Sequence, residues 1–227
     1  AFLYDINSAD VNPITREFTP SIDSAIWGEN DNTIYFLTTD RSFNTLYKYN
    51  LRRSQFTKLS TKPDVVSDVD ISSDERIAVY SGTGVSQPVQ VFTHDLDKDQ
   101  STLLRYPGEE HFSNVEFGNH ETWTFTNERG AEIDGVIYYP PNFDPDQKYP
   151  VISYYYGGTV PVNRAFGGRY PKELYAAMGY VVYVMQPSGA IGYGQEFSAL
   201  HVNDWGKIVA GEIIYGVNEF LDEHDFA

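Results

Sequence analysis

The stretch YPVISYYYGGTVPV, residues 149–162, decides how the rest of the chain is read. Val151 to Tyr156 is a run of β-branched and aromatic residues, the composition of a buried strand. It stops at Gly157-Gly158, where the backbone can turn tightly and approach a ligand closely. Further on, Tyr170 to Met178 (YPKELYAAM) combines helix formers with Pro171 near the start and Gly179 as a stop. It is followed by a second unbroken apolar strand, YVVYVMQP, at 180–187. Strand, helix and strand at this spacing imply a parallel pair. A last helix is expected from about Asp204, an N-capping residue type, to Leu221, with Val209, Ile213, Val217 and Phe220/Leu221 on one buried face.

Upstream of the central stretch, WTFTNERGAEIDGVIYYPPNFDP at 123–145 reads as two strands joined at Arg129-Gly130 and closed by Pro140-Pro141. Before about residue 118 the pattern becomes a repeat. Laid over one another, 24–66 and 67–109 pair SAIWGENDNTIYFLTTD with SDVDISSDERIAVYSGT, TLYKYNL with QVFTHDL, and SQFTKLS with STLLRYP. Ile34 and Ile77 correspond at 43 residues and Leu51 and Leu96 at 45. Several short strands per unit at this period are the mark of β-propeller blades. The opening FLYDI, with Ile6 lying 45 residues before Leu51, is expected to be the tail of a preceding blade. Two and a half blades leave strand edges unpaired, so further blades are expected upstream.

Composition removes several functions. Sixteen Lys and Arg stand against 32 Asp and Glu, a net charge of −16, and no basic cluster is long enough to track phosphates. Nucleic acid and anionic membrane are therefore poor partners. There is no cysteine, hence no disulfide, thiolate nucleophile or Cys-ligated zinc. No apolar run reaches the 18 residues of a membrane-spanning helix. The first residues, AFLYDINSAD, start in mid-strand without the basic start and apolar core of a signal peptide, so the chain is expected to be part of something longer.

Chemistry-bearing residues are sparse. His94, His111, His120, His201 and His224 form no metal-ligand pair and are expected on the surface or in packing. Asp95, Asp97 and Asp99 imitate a calcium loop, but Gln100 stands where Gly is needed and Tyr106 where a bidentate Glu belongs, so a polar hairpin turn is expected. Glu109-Glu110 and the run Asp222 to Asp225 read as solvated ends. No cofactor or metal site is expected. No G-x-S-x-G occurs, and Pro187-Ser188-Gly189 lacks the flanking glycines of a nucleophile elbow.

Three stretches in order, PPNFDPDQKYPVISYYYGG (140–158), GYVVYVMQPSGAIGYGQEF (179–197) and NDWGK (203–207), make the C-terminal half resemble the prolyl oligopeptidase family of serine peptidases, especially its dipeptidyl-peptidase and acylaminoacyl-peptidase branches. The upstream repeat matches that family's other domain. The resemblance implies the last two to three blades of a β-propeller over residues 1–118, followed by the N-terminal half of an α/β-hydrolase domain over 119–227. It implies a Ser, Asp, His triad whose serine follows the final helix, beyond Ala227, so that the chain by itself is inert. Half a hydrolase sheet would leave a parallel edge that a second copy or a complementary chain must cover.

The resemblance also implies one site residue. In dipeptidyl-peptidase-like members a tyrosine before a small residue and Gly donates its hydroxyl to the oxyanion, where other branches carry His-Gly-Gly-Pro. Tyr156, before Gly157-Gly158, matches that place, with Tyr154 and Tyr155 as adjacent alternatives; strand alternation would point Tyr155 away from the other two. Two positions depart from the family: Thr159 stands where proline is usual, and Ser188 where the loop usually reads Arg-Gly before Gly-Tyr-Gly. The substrate-binding role of the family's paired glutamates does not transfer to Glu109-Glu110. The expected function is hydrolysis of short peptides; the alternatives are an inactive member that binds peptides or proteins through its propeller, and an esterase on the same scaffold.

Overall fold

A computed structural model describes residues 1–203 and 206–227. The expected N-cap Asp204, and Trp205 of NDWGK, lie outside the described residues. Two four-stranded antiparallel meanders come first. β3 (Ser21–Trp27), β4 (Thr33–Asp40), β5 (Phe43–Asn50) and β6 (Gln55–Lys58) form one; β7 (Val65–Ile71), β8 (Ile77–Gly84), β9 (Gln87–Asp95) and β10 (Gln100–Arg105) form the other. Corresponding strands begin 44 residues apart, Ser21 to Val65, Thr33 to Ile77 and Phe43 to Gln87. Strands of the two units pair in parallel at Asn44 with Val65. Ahead of them β1 (Phe2–Tyr4) and β2 (Val11–Pro13) pair antiparallel, and β2 starts 44 residues before β6.

The repeat is physically a repeat of inward-facing aromatics and aliphatics. Tyr35 and Leu46 of the first unit and Ala78 and Leu96 of the second share one core, while Tyr80 stacks on Phe92 at 5.6 Å between ring centroids. His94 is fully buried at the β9–β10 hairpin, with Nδ1 at 2.9 Å from Ser101 Oγ and Nε2 at 3.1 Å from Asp99 Oδ1. Tyr80 Oη lies 2.7 Å from the same Ser101 hydroxyl. The three aspartates of the turn diverge: Asp95 accepts from the Asp97 and Lys98 backbone N–H groups, and Asp99 from the backbone and hydroxyl of Ser60.

A four-stranded mixed sheet follows, in the order β11 (His120–Thr126), β12 (Glu132–Tyr138), β14 (Val181–Met185), β13 (Val151–Tyr154). β13 and β14 are parallel, as the strand–helix–strand spacing implies, and the hairpin turns at Arg129-Gly130. β14 is buried along its whole length. On one face Ile133, Ile137, Tyr183 and Met185 pack against α4 (Lys207–Glu223) through Phe220; on the other Val136, Val182 and Val184 pack near α2 (Lys172–Ala177) through Ala176. Two short helices, α1 (Glu109–Phe112) and α3 (Gln195–Ala199), lie in connections.

Three expectations need correction. The strand expected to reach Tyr156 ends at Tyr154, because its partner β14 supplies register pairs only from Val181 to Val184. On α4, Val209 and Phe220 are buried and Ile213 and Val217 pack against the core as expected, but Glu212 and Gly216 are buried on that side too, and Leu221 is exposed. Residues 222–225 are not simply a solvated end: Glu223 accepts a 2.9 Å hydrogen bond from the Trp123 indole, and His224 stacks on Phe220 at 4.3 Å.

Burial holds the His94 imidazole below its ordinary value near 6.5, outweighing the opposing Asp99 carboxylate. Below pH 6.5 the unfolded chain therefore binds a proton that the folded chain refuses, so stability is lost as the pH falls toward the depressed folded value. The melting temperature should drop on acidification through this window. His94→Gln should flatten the slope without abolishing it, since burial also lowers the value of His120.

Candidate active site

Tyr155 and Tyr156 leave the end of β13 into an irregular segment that runs to α2, and both are about half exposed. Strand alternation therefore does not distinguish them. The cavity does: a cleft of about 520 Å³ has Tyr154, Tyr156, Phe166, Arg169, Tyr170 and Lys172 in its wall, and Tyr155 is not among its lining residues. Neither Gly157 nor Gly158 has a positive φ. Gly158 is required for a different reason, since a Cβ there would come within 2.6 Å of the Tyr156 ring. The ring is folded over its own following backbone, and only glycine leaves room for it.

The segment carrying Tyr156 has no regular secondary structure, so its position depends on side chains that arrive from elsewhere. The Thr159 carbonyl accepts from Ile191 N–H at 2.8 Å. Because only the carbonyl is used, threonine serves in place of the usual proline. Gln186, at the end of β14 and 1% exposed, grips Val162 from both sides: its Oε1 accepts from Val162 N–H at 2.9 Å and its Nε2 donates to Val162 O at 2.6 Å. Arg164 is buried between the two parts of the molecule. Its guanidinium donates to Ser42 Oγ at 3.1 Å and Thr122 Oγ1 at 2.9 Å and lies 4.3 Å from the centre of the Phe43 ring. Phe166 N–H then donates to Thr83 Oγ1 at 3.1 Å.

Ser188 belongs to a second buried network. The Glu212 carboxylate accepts from Ser188 N–H at 2.6 Å, Ser188 Oγ at 2.5 Å, Asn127 Nδ2 at 2.5 Å and Arg129 Nη2 at 3.2 Å. Arg129 of the β11–β12 turn thus brings a guanidinium to this network and also donates to Ser188 Oγ at 3.1 Å. Sequence reasoning missed Arg164, Gln186, Arg129 and Lys172. Glu212 could have been noticed as a charge on an otherwise apolar helical face. The other partners carry no local signal, because each meets residues between 20 and 125 positions away in the chain or sits beside a cleft that exists only after folding.

Lys172 Nζ is held 5.8 Å from the centre of the Tyr154 ring and 6.0 Å from that of Tyr138, and burial pushes its ammonium below the ordinary lysine range. Burial likewise raises the Tyr154 phenol, with Tyr170 and Tyr175 adding to the effect. A phenol at Tyr156 and cations at Arg169 and Lys172 make the cleft a place for a carbonyl oxygen or an anion.

No family model matches the chain. It is 25% identical over 99% of its length to a protein named probable dipeptidyl-peptidase 5 from Emericella nidulans, of which it covers 32%. It is 22% identical over 97% of its length to the uncharacterized peptidase YuxL of Bacillus subtilis, covering 35% of it. Among solved structures, the acylaminoacyl peptidase of Pyrococcus horikoshii superposes with a TM-score of 0.82 at 20% identity, over all of this chain and 34% of the other. The chain spans about a third of the length of the curated relatives it matches. The structural likeness shows the fold.

Removing the Glu212 carboxylate would strand two N–H donors and a guanidinium in a buried site. Glu212→Ala should destabilise the protein by about 3–5 kcal/mol, and Glu212→Gln by about 1–3 kcal/mol, as read from urea-unfolding midpoints.

Proposed function

We propose that this chain is part of a serine peptidase that cleaves short peptides, with Tyr156 donating one of the hydrogen bonds of the oxyanion hole. In this reading the two meanders and the β1–β2 pair are propeller blades within residues 1–118, and residues 119–227 are the first half of an α/β-hydrolase domain. The serine, aspartate and histidine of the triad lie outside these 227 residues. The observation that carries the proposal is the placement of Tyr156: it stands at the end of β13, its ring braced over Gly158, in the wall of a cleft whose floor is pinned by Gln186 and Arg164. The peptidase names of the relatives support the same class of chemistry.

The chemistry follows from that placement. When a serine hydroxyl adds to a peptide carbonyl, its proton passes to histidine and the carbonyl π electrons move onto oxygen, which becomes an alkoxide. A phenol O–H already held at that oxygen stabilises the tetrahedral species more than the planar substrate, because charge is present only after addition. Holding the phenol costs little at the moment of reaction, since the segment bearing it is fastened at four points before substrate arrives. The alternative, an inactive member that binds peptides or proteins through its propeller, is separated from the peptidase by whether a G-x-S-x-G serine stands in the full-length protein.

In the full-length protein, Tyr156→Phe should lower kcat by about 10²–10³-fold with little change in KM. Retention of full kcat would remove Tyr156 from the oxyanion hole. A fluorophosphonate probe should label the full-length protein and leave residues 1–227, expressed by themselves, unlabelled; labelling of the shorter chain would place the nucleophile within it and overturn this reading.

A further inference from the structure

The cleft beside Tyr156 carries a feature that oxyanion stabilisation does not use. Lys172 is only 5% exposed, and its ammonium stands against the Tyr154 and Tyr138 rings with no hydrogen bond or salt bridge among the described residues; the neighbouring Glu173 carboxylate acts on it only through its field. Arg169 joins it in the wall of the cleft. No aspartate or glutamate lines that wall, in a chain where acidic residues outnumber basic ones by 32 to 16. The nearest competing carboxylate, Glu173, is turned toward the loop instead, where its Oε2 accepts weakly from Gly167 N–H at 3.4 Å. A desolvated ammonium with no salt-bridge partner in direct contact is costly, and a ligand anion that reached it would offset that cost.

We infer that this cleft is a carboxylate-binding subsite, in which Lys172 and Arg169 receive a carboxylate of a peptide while Tyr154, Tyr170 and Phe166 cover its apolar part. The inference builds on the peptidase reading, since Tyr156 in the same wall places the subsite next to the reacting carbonyl. Two sources present the same chemistry: the free C-terminus of a short peptide, and the side chain of an aspartate or glutamate. A bound carboxylate would complete the Lys172 ion pair in a partly desolvated place, where a charge-assisted hydrogen bond is stronger than on an open surface. Arg169, exposed at the rim 5.4 Å from the centre of the Tyr170 ring, would meet the second carboxylate oxygen.

The test is calorimetric binding to the full-length protein of three product-like ligands: N-acetyl-Ala-Ala, its C-terminal amide, and N-acetyl-Ala-Glu amide. The two carboxylates should bind about tenfold or more tightly than the neutral amide. The ranking of the two tells whether the C-terminus or the side chain is the better ligand. Lys172→Met, which keeps the apolar stem and breaks no hydrogen bond or salt bridge, should abolish that preference. Arg169→Gln, a surface change that cannot compromise folding, should reduce it. Equal binding of all three ligands by the wild type, or an equal loss for all three in the variants, would overturn the subsite. A carboxylate preference that Lys172→Met abolishes, in a protein that the fluorophosphonate probe does not label, would keep the subsite and discard the peptidase.

Discussion

A guanidinium buried between two sheets sets the geometry of the candidate site. Arg164 cannot be left in that place without partners, because an uncompensated buried charge costs several kcal/mol. It reaches Ser42 in the turn after β4, Thr122 on β11 and the face of Phe43, and lies 3.9 Å from the Asp64 carboxylate. Those partners come from both meanders and from the mixed sheet. One side chain in an irregular loop is therefore the point at which the parts are brought into register. The consequence is local rigidity where no helix or strand supplies it, and Tyr156 lies on that loop.

The second constraint is the Glu212 carboxylate, which ties the loop after β14 to the β11–β12 turn and to α4. Its donors show how a polar network outlasts a change in its members. What the network requires is a cation and two or three N–H or O–H groups around a carboxylate, not an arginine at one position. Ser188 is small enough to let Arg129 enter from the neighbouring turn, and its own hydroxyl then fills the remaining acceptor site. At 188 the chain carries a serine, and the cation beside the Glu212 carboxylate comes from Arg129.

The same contrast runs through the fold. The alternation of apolar and polar residues, and the recurrence of that pattern after about 44, reflects strands that each need one buried face, so the meanders could be read from residues alone. The parallel β13–β14 pair was legible for a similar reason: a helix of the length of α2 is the short way to carry a chain back to the same end of a sheet. Strand ends were less legible. Tyr155 and Tyr156 have the composition of a strand, but the β13–β14 register ends at Tyr154 with Val184, and beyond β14 Gln186 is taken up by Val162. In α4 the buried polar Glu212 displaced a purely apolar expectation of the packed face.

By itself, the sequence determined the order and kind of the elements and the repeat, because these follow from side-chain periodicity; the candidacy of Tyr156 came from the family resemblance carried by residues 140–158, 179–197 and 203–207. Only the tertiary structure decided that Tyr154 and Tyr156, and not Tyr155, line the cleft, which cation serves Glu212, and that Lys172 is buried against aromatic rings with no salt bridge. Those facts depend on which residues meet across the fold, and an ammonium is costly or cheap according to the water and charges around it, which a linear chain does not specify.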